Sequence, residues 1–434
     1  MLGIIMLIIA VAVQIGYAVF CIIKGEKSGR IKHILRLTLT VLFIGFILLF
    51  GHGWSFQWTM LMITMAVLLL ISLVQILLAK KSAMNKKPFR KWRVILAALG
   101  SCIYLFVGLL PAIVFPPYEH PVVTGEYEVA YETYSYIDET REETYRDTGE
   151  KRQVNVAFWY PEDADDTYPL VVFSHGFGGI KNSNESTYTE LASHGYVVCS
   201  VDHPYQSFYT TNDEGKVTII DNGYIQEYSE LANANTYDVR FELYGKWMDI
   251  RVADLDFVID TILDSEGGVY GLIDADKIGV LGHSLGGAAA MGIPRVRNDI
   301  DAVVNIDAPM LCEFTGVQGD QYTFNEEPYP APVLNIYSEY LYENVILRED
   351  PDYVANRLVQ ATAPASYEVV FTGAQHMSLT DLSLFSPILA NMLNGVGTAE
   401  VDPYECIETM NSVILEFFDC YLKDDGMFTS EGIY

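Results

Sequence analysis

Four apolar stretches, at 2–23, 33–50, 56–79 and 94–115, fill the first quarter of this 434-residue chain. Each approaches the roughly 20 residues a helix needs to cross about 30 Å of hydrocarbon. Backbone polar groups find no partner in lipid, so such a region can only fold as a bundle of spanning helices. The first stretch has no basic n-region, no small-residue cleavage site and no lipobox before Cys21, so it is expected to stay as an anchor. Lys24, Lys27, Arg30 and Lys32 separate the first two spans; Lys80, Lys81, Lys86, Lys87, Arg90, Lys91 and Arg93 separate the last two. The middle loop, GHGWS, carries neither Lys nor Arg. Positive loops stay inside, which predicts that the N-terminus, the middle loop and everything after Pro116 lie outside the cell membrane. Trp54 and Trp58 suit an interfacial belt, and His33 and His52, at span ends, read as solvated residues rather than ligands. No span holds an acid or base at its centre, which argues for an anchor rather than a transporter.

Charge divides at the same place. Residues 1–115 carry 12 Lys/Arg and a single acid, Glu26, whereas residues 116–434 carry 15 basic and 55 acidic side chains. The net values, +11 and −40, conceal one another in the total of −29. The acidic part would repel phosphates, which excludes nucleic acid as a partner. Its field also fits neutral or zwitterionic lipid better than anionic lipid. Six cysteines without a CxxC do not make a disulfide scaffold or zinc ribbon. No HExxH or EF-hand spacing appears, so no metal or cofactor is expected, and Asp163, Asp165 and Asp166 read as solvated surface. Cys406 and Cys420 lie on one amphipathic stretch and are not expected to bridge if that helix is continuous.

The predicted organisation is a four-helix transmembrane region at 1–116, an acidic Tyr-rich linker at 117–152, and a domain at 153–434. In the last, β-branched runs at 153–160, 170–174, 196–201, 277–282, 302–306, 333–337 and 367–371 alternate with helical periodicity, clearest at 247–264, 285–292, 380–394 and 405–422. Near-continuous apolar runs suit parallel strands covered on both faces, so the pattern predicts an α/β doubly wound sheet. The least regular segment, about 204–245, sits where a lid or substrate-selecting insertion belongs.

One motif carries chemistry. Gly282-His283-Ser284-Leu285-Gly286-Gly287 follows the run KIGVLG and precedes the small-residue segment AAAMG. GxSxG between strand and helix is a turn that lifts a serine hydroxyl above the sheet edge, with glycines where a β-carbon would not fit. Such a serine needs a base. Of eight histidines only His376 follows Ser284, in the loop after the last clear strand. The third member, an acid that orients the imidazole, is either Asp307, after AVVNI, or Glu339, after VLNIY; both end strands, and Asp301 begins one and faces the wrong edge. An oxyanion formed by attack needs two N–H donors, each worth about 3 kcal/mol. Leu285, next to the nucleophile, supplies one, and Phe177 in FSHGFGG the other, with His175 and His283 shaping the loops by hydrogen bonding.

With these residues in view, about 154–395 of the chain resembles the plasma-type platelet-activating-factor acetylhydrolases, the group VII phospholipase A2 family of α/β-hydrolases. The resemblance rests on VVFSHGFGG, LASHGYVVCSVDH, DKIGVLGHSLGGA, NIDAPM, NIYSEY and GAQHMSLTD. It implies an α/β-hydrolase fold after the transmembrane region, with Ser284 as nucleophile, Asp307 rather than Glu339 as acid, His376 as base, and Phe177 and Leu285 as oxyanion donors. It also implies metal-independent hydrolysis of short or oxidised sn-2 acyl chains of phospholipids. The expected activity is that of a membrane-anchored serine esterase. An acyltransferase with the same triad would place the acyl group on an added alcohol, and a non-catalytic membrane sensor would turn over no ester at all.

Overall fold

The computed structural model describes residues 2–50, 55–79, 89–147, 149–162, 166–395 and 397–434. His52, Trp54, Lys80, Lys81, Lys86, Lys87, Asp163 and Asp165 therefore lie outside the described residues. The chain divides into two units, one of residues 1–119 and 384–389, the other of 120–383 and 390–434.

The first unit contains α1 (Leu2–Lys24), α2 (Gly29–Phe50), α3 (Phe56–Ala79) and α4 (Lys91–Val114), all long and apolar enough to cross a membrane. Met6 and Ala10 of α1, Phe43 and Ile47 of α2, Leu61 and Met65 of α3, and Leu105 and Leu109 of α4 form its interior. Small residues permit close helix approach: a β-carbon on Gly108 would stand 2.6 Å from Thr64 Oγ1, and one on Gly3 2.8 Å from Ala112 O. Large apolar side chains such as Ile8, Leu48 and Leu70 point outward, as lipid-facing positions do.

Two expectations change here. Trp58 is fully buried in the bundle rather than placed in an interfacial belt. Spacing decides this, because Trp58, Leu61, Met65 and Leu68 recur at three- and four-residue steps and share the inward face of α3. Arg36 lies within α2, buried, where its Nη1 donates to Leu68 O (3.2 Å) and Ser72 Oγ (2.9 Å) of α3. Arg36 stands toward the start of α2 and not at its centre, and two neutral oxygens on the facing helix satisfy it. Residues 380–394, read as one helical stretch, hold two short helices instead, Leu382–Phe385 and Pro387–Asn394. Proline lacks an N–H and disfavours helical backbone at the residue before it.

The second unit is built on a nine-stranded sheet. Its strands are β1 (Val129–Glu142), β2 (Lys151–Pro161), β3 (Tyr168–Ser174), β4 (Val197–Asp202), β5 (Ile273–His283), β6 (Ala302–Ile306), β7 (Val333–Ser338), β8 (Ser366–Phe371) and β9 (Gly432–Ile433). Their spatial order is β1-β2-β4-β3-β5-β6-β7-β8-β9. From β4 onward the pairs are parallel, and β1, β2 and β4 pair antiparallel. Every residue of β3, β4, β6 and β7 is buried, which is why these strands read as apolar runs without alternation.

Residues 129–142, within the stretch read as a linker, form β1, in register with β2 from Val129↔Pro161 to Asp138↔Arg152. Alternating tyrosines make this possible: Tyr134 packs edge-on against Phe158 at 5.7 Å and Tyr136 bonds Tyr270 through their hydroxyls at 2.7 Å. The Glu and Thr residues between them mask the strand in the sequence.

Helices cover the sheet: α5 (Glu185–Ser193), α6 (Asn222–Asn233), α7 (Tyr237–Leu263), α8 (Leu285–Val296) and α9 (Pro403–Leu422). In α9, Asp402 caps the first turn by accepting from Tyr404 N (2.9 Å) and Glu405 N (3.2 Å), Pro403 opens it, and Ile407, Met410, Ile414 and Phe417 bury one face. α9 is continuous and its Cys406 and Cys420 are both free thiols. The irregular segment 204–245 holds a short hairpin (Tyr209–Thr211 with Val217–Ile219), α6 and the start of α7.

Strand order fixes where a site can form. From β3 the chain crosses to β4 on one side, and from β4 it returns to β5 on the other. The carboxyl ends of β3 and β5 therefore flank a topological switch point, where open α/β sheets have their binding crevice.

Candidate active site

The turn after β5 is as tight as its glycines suggest. A β-carbon on Gly282 would stand 2.3 Å from Gly286 O, and one on Gly286 would stand 2.0 Å from Ser174 O, at the end of β3. Ser284 sits at the apex with φ 55°, a left-handed conformation unfavourable for a residue with a side chain. Two bonds hold it there: its N–H donates to Ile306 O of β6 (2.8 Å), and its carbonyl accepts from Ala288 N (3.1 Å). α8 can begin immediately because its first turns are glycine and alanine, buried against the sheet.

Asp307, just past β6, has the same kind of backbone, φ 53°, with its N–H donating to Ile336 O (2.8 Å). Its carboxylate is wholly buried and accepts from three donors: Ser338 N (2.7 Å), Ser338 Oγ (2.9 Å) and His376 Nδ1 (2.8 Å). A carboxylate only accepts, so His376 carries its proton on Nδ1 and leaves Nε2 as an acceptor. The two residues are 69 positions apart in sequence, brought together by the loop after β8.

Glu339, the other acid that ended a strand, does not join His376. Its Oε2 accepts from Gly373 N (2.8 Å), steadying the loop that carries His376. Ser338, within NIYSEY but given no role by the sequence, orients Asp307. His283 Nε2 donates to His376 O (3.1 Å), its ring 4.4 Å from that of His376. Burial, and then the neighbouring His376, hold the His283 pKa well below the usual histidine range, so it stays neutral.

The loop after β3 lies alongside. A β-carbon on Gly176 would stand 3.1 Å from Ser284 Cβ, so the Gly176–Phe177 peptide passes directly beside the serine. Gly178 turns the chain at φ 59°, with Gly179 N donating to Gly176 O (3.1 Å). Among the described residues neither Phe177 N–H nor Leu285 N–H has an acceptor, the latter because it opens a helix. The Phe177 ring stacks on Tyr228 (3.9 Å) and tilts on Tyr224 (4.8 Å), both from α6, so the insertion forms the wall beside this loop.

A second Ser–His–Asp array lies beneath. Ser174 Oγ is 2.9 Å from His203 Nε2, and His203 Nδ1 is 2.9 Å from Asp254 Oδ2. All three side chains are fully or almost fully buried, so no substrate carbonyl can reach Ser174. Burial would raise the Asp254 pKa, but Arg152 more than reverses this and holds the carboxyl well below its ordinary range. Arg152 binds both carboxylate oxygens (3.1 and 2.6 Å). Burial, followed by the charge of Arg251, lowers His203 to about 4. This array is a neutral-histidine strut. No role is legible for it in the sequence, because Asp254 lies inside a helix and Ser174 and His203, though within VVFSHGFGG and LASHGYVVCSVDH, stand at strand ends with no GxSxG turn to mark them.

Asp381 closes the site's far side by accepting from Ser186 N (2.8 Å) in the first turn of α5 and from Ser186 Oγ, while Asp381 N donates to Ser183 O (3.0 Å). Asn184 Nδ2 also donates to Leu379 O (2.8 Å), so the His376 loop is pinned to α5.

A family model described as platelet-activating factor acetylhydrolase, isoform II, matches residues 153–429. Platelet-activating factor acetylhydrolase of Bos taurus is 25% identical over 280 residues, 59% of this chain and 57% of that protein. The same-named protein of Cavia porcellus is 24% identical over 288 residues, 62% of this chain and 61% of that protein. The chain thus spans less than two thirds of the length of these relatives. Among solved structures, a ferulic acid esterase from Streptomyces cinnamoneus superposes with a TM-score of 0.55 at 21% identity, over 71% of this chain and 94% of that one. At that identity the likeness bears on the fold, which is that of an α/β-hydrolase.

Proposed function

We propose, given that the chain belongs to the platelet-activating factor acetylhydrolase isoform II family, that it is a membrane-anchored carboxylic ester hydrolase acting through an acyl-enzyme on Ser284. The observation that carries this reading is the Asp307–His376 bond of 2.8 Å at the switch-point crevice that also presents Ser284. Ser284 Oγ attacks the ester carbonyl carbon and its proton passes to His376 Nε2. Asp307 keeps the imidazole in the correct tautomer and stabilises the imidazolium. The carbonyl oxygen, now negative, takes the N–H groups of Phe177 and Leu285. Collapse expels the alcohol, which leaves with the proton from His376. Water, deprotonated by His376, then attacks the acyl-serine; the C–O bond to Ser284 breaks as His376 returns the proton to Ser284 Oγ, and the carboxylic acid departs.

The substrate is an ester of low net negative charge, in line with the −40 carried after residue 115. Short or oxidised sn-2 acyl chains of a zwitterionic phospholipid fit the family and the charge together. The length and apolarity of α1–α4 support a membrane anchor, and the positive-inside pattern of the basic loops supports an active site outside the cell. A fluorophosphonate probe tests the nucleophile. The wild-type chain in detergent should take one label and Ser284→Ala none; undiminished labelling of Ser284→Ala would sink the reading. Rates on aryl esters of graded chain length and on phosphatidylcholines with short sn-2 chains then define the substrate.

A further inference from the structure

Beneath the loop after β3 lies a cation that the chemistry above does not use. Arg251, on α7, is wholly buried. Its Nε donates to Gln206 Oε1 (2.7 Å), Nη1 to His175 O (2.5 Å) and Nη2 to Gly176 O (3.4 Å). All three acceptors are uncharged, and no ion pair joins Arg251 to a carboxylate among the described residues. Asp254, one turn further along α7, is already engaged by Arg152, Arg141 and His203. A buried guanidinium spent on backbone carbonyls, without a counter-ion, requires a reason.

The acceptor supplies one. Gly176 O belongs to the same peptide group as Phe177 N–H, and in a trans peptide the two point in opposite directions. Arg251 and His175 Nδ1 (2.7 Å) hold that oxygen from below, and Gly179 N also donates to it. His175 can do so because the carbonyl accepts only, which fixes its proton on Nδ1 and leaves Nε2 to accept from Ser207 Oγ (2.8 Å). With the oxygen fixed on the Arg251 side, Phe177 N–H is aimed away from it. Donation to a carbonyl also polarises the amide and strengthens its N–H. The positive charge behind it favours a negative charge in front.

The geometry points to Arg251 as a positioning residue for the oxyanion hole: it sets the direction and strength of the Phe177 N–H through the Gly176–Phe177 peptide. This deepens, and rests on, the esterase reading above. Neither Arg251 nor His175 touches the substrate.

The test uses the full chain in detergent micelles, with Arg251→Met and Arg251→Lys. End-point labelling by a fluorophosphonate counts intact sites, so kcat is expressed per labelled serine and does not fall merely because protein is lost. An oxyanion donor is worth about 10²–10³ in kcat. A misaimed donor loses part of that, so Arg251→Met should lower kcat on 4-nitrophenyl acetate by about 10- to 100-fold with KM within about threefold. An ammonium cannot reproduce the planar fork on two carbonyls, so Arg251→Lys should fall between, by about three- to tenfold. If Arg251→Met does not fold, the lysine variant decides alone. A drop of less than threefold, or a loss carried by KM, overturns the proposal while the esterase reading stands. A wild-type chain that takes no label overturns the esterase reading, and this proposal with it.

Discussion

Replacing Asp307 by asparagine changes one atom, and the surroundings of that atom set the outcome. Asp307 Oδ1 accepts from Ser338 N, a backbone donor that cannot turn away, whereas Oδ2 accepts from Ser338 Oγ and His376 Nδ1. In Asp307→Asn the amide oxygen must therefore stay on Ser338 N–H. The amide NH2 then faces His376, while the Ser338 hydroxyl rotates to accept from it. An NH2 group donates, so His376 Nδ1 must become the acceptor and its proton moves to Nε2, the nitrogen that has to receive the serine proton. In Ser–His–Asp hydrolases a wrong tautomer costs about 10⁴ in kcat, equivalent to about 5.5 kcal/mol of transition-state stabilisation. Folding should be little affected, since the site stays filled and each group keeps a partner. Glu339→Gln is the control: its amide oxygen can still accept from Gly373 N, so kcat should stay within about threefold of wild type, as for an exchange that preserves the bond. Both are read by steady-state hydrolysis of 4-nitrophenyl acetate, normalised to protein. Asp307→Asn retaining more than a tenth of wild-type kcat, or Glu339→Gln abolishing it, would refute the reasoning.

Two further outcomes follow from the same region. Burial raises the Asp381 pKa to about 7, against about 3.9 in an unfolded chain. Between about pH 4 and 7 the folded state therefore holds a proton that the unfolded state has released, so this group's contribution to stability declines across that window and is gone once pH has risen through 7. Asp381→Asn keeps an acceptor for Ser186 N and should flatten that dependence in thermal melts at pH 5 and 8; an unchanged pH slope would contradict it. Gly286→Ala places a methyl 2.0 Å from the backbone oxygen of Ser174, and backbone cannot swing aside as a flexible side chain can. A destabilisation above about 4 kcal/mol is expected, seen as loss of labelling and of the folded domain; full labelling would show that the turn is looser than described.

Most of the sheet was legible because its parallel strands are buried on both faces, which leaves runs such as LVVFS and AVVNI with few alternatives. The edge was not legible. β1 is half exposed, and its tyrosines do the packing while acids lie between them, so composition points to a linker where pairing makes a strand. The serine turn was readable from glycine positions alone, since sterics there are local. The choice between Asp307 and Glu339 was not readable from strand ends, because both follow consecutive parallel strands. What separates them is tertiary: Ser338 and His376 converge on Asp307, while Gly373 takes Glu339. Arg251 and Asp254 occupy a helix face where two charges look like surface, and only the packing of α7 beneath the loop after β3 turns them inward. In the apolar bundle the same logic misplaced Trp58, whose neighbours at helical spacing outweigh its position near a span end.

The pairing of β1 with β2 also separates two notions of where this domain begins. The family match starts at residue 153, near the start of β2, whereas the sheet itself starts at Val129. A polypeptide begun at 153 would present β2 as a naked border, its N–H and C=O groups unpaired and Phe158 stripped of the Tyr134 ring. Such borders recruit strands from other molecules. β1 lies before the matched residues, yet it is this strand that pairs the border of the sheet.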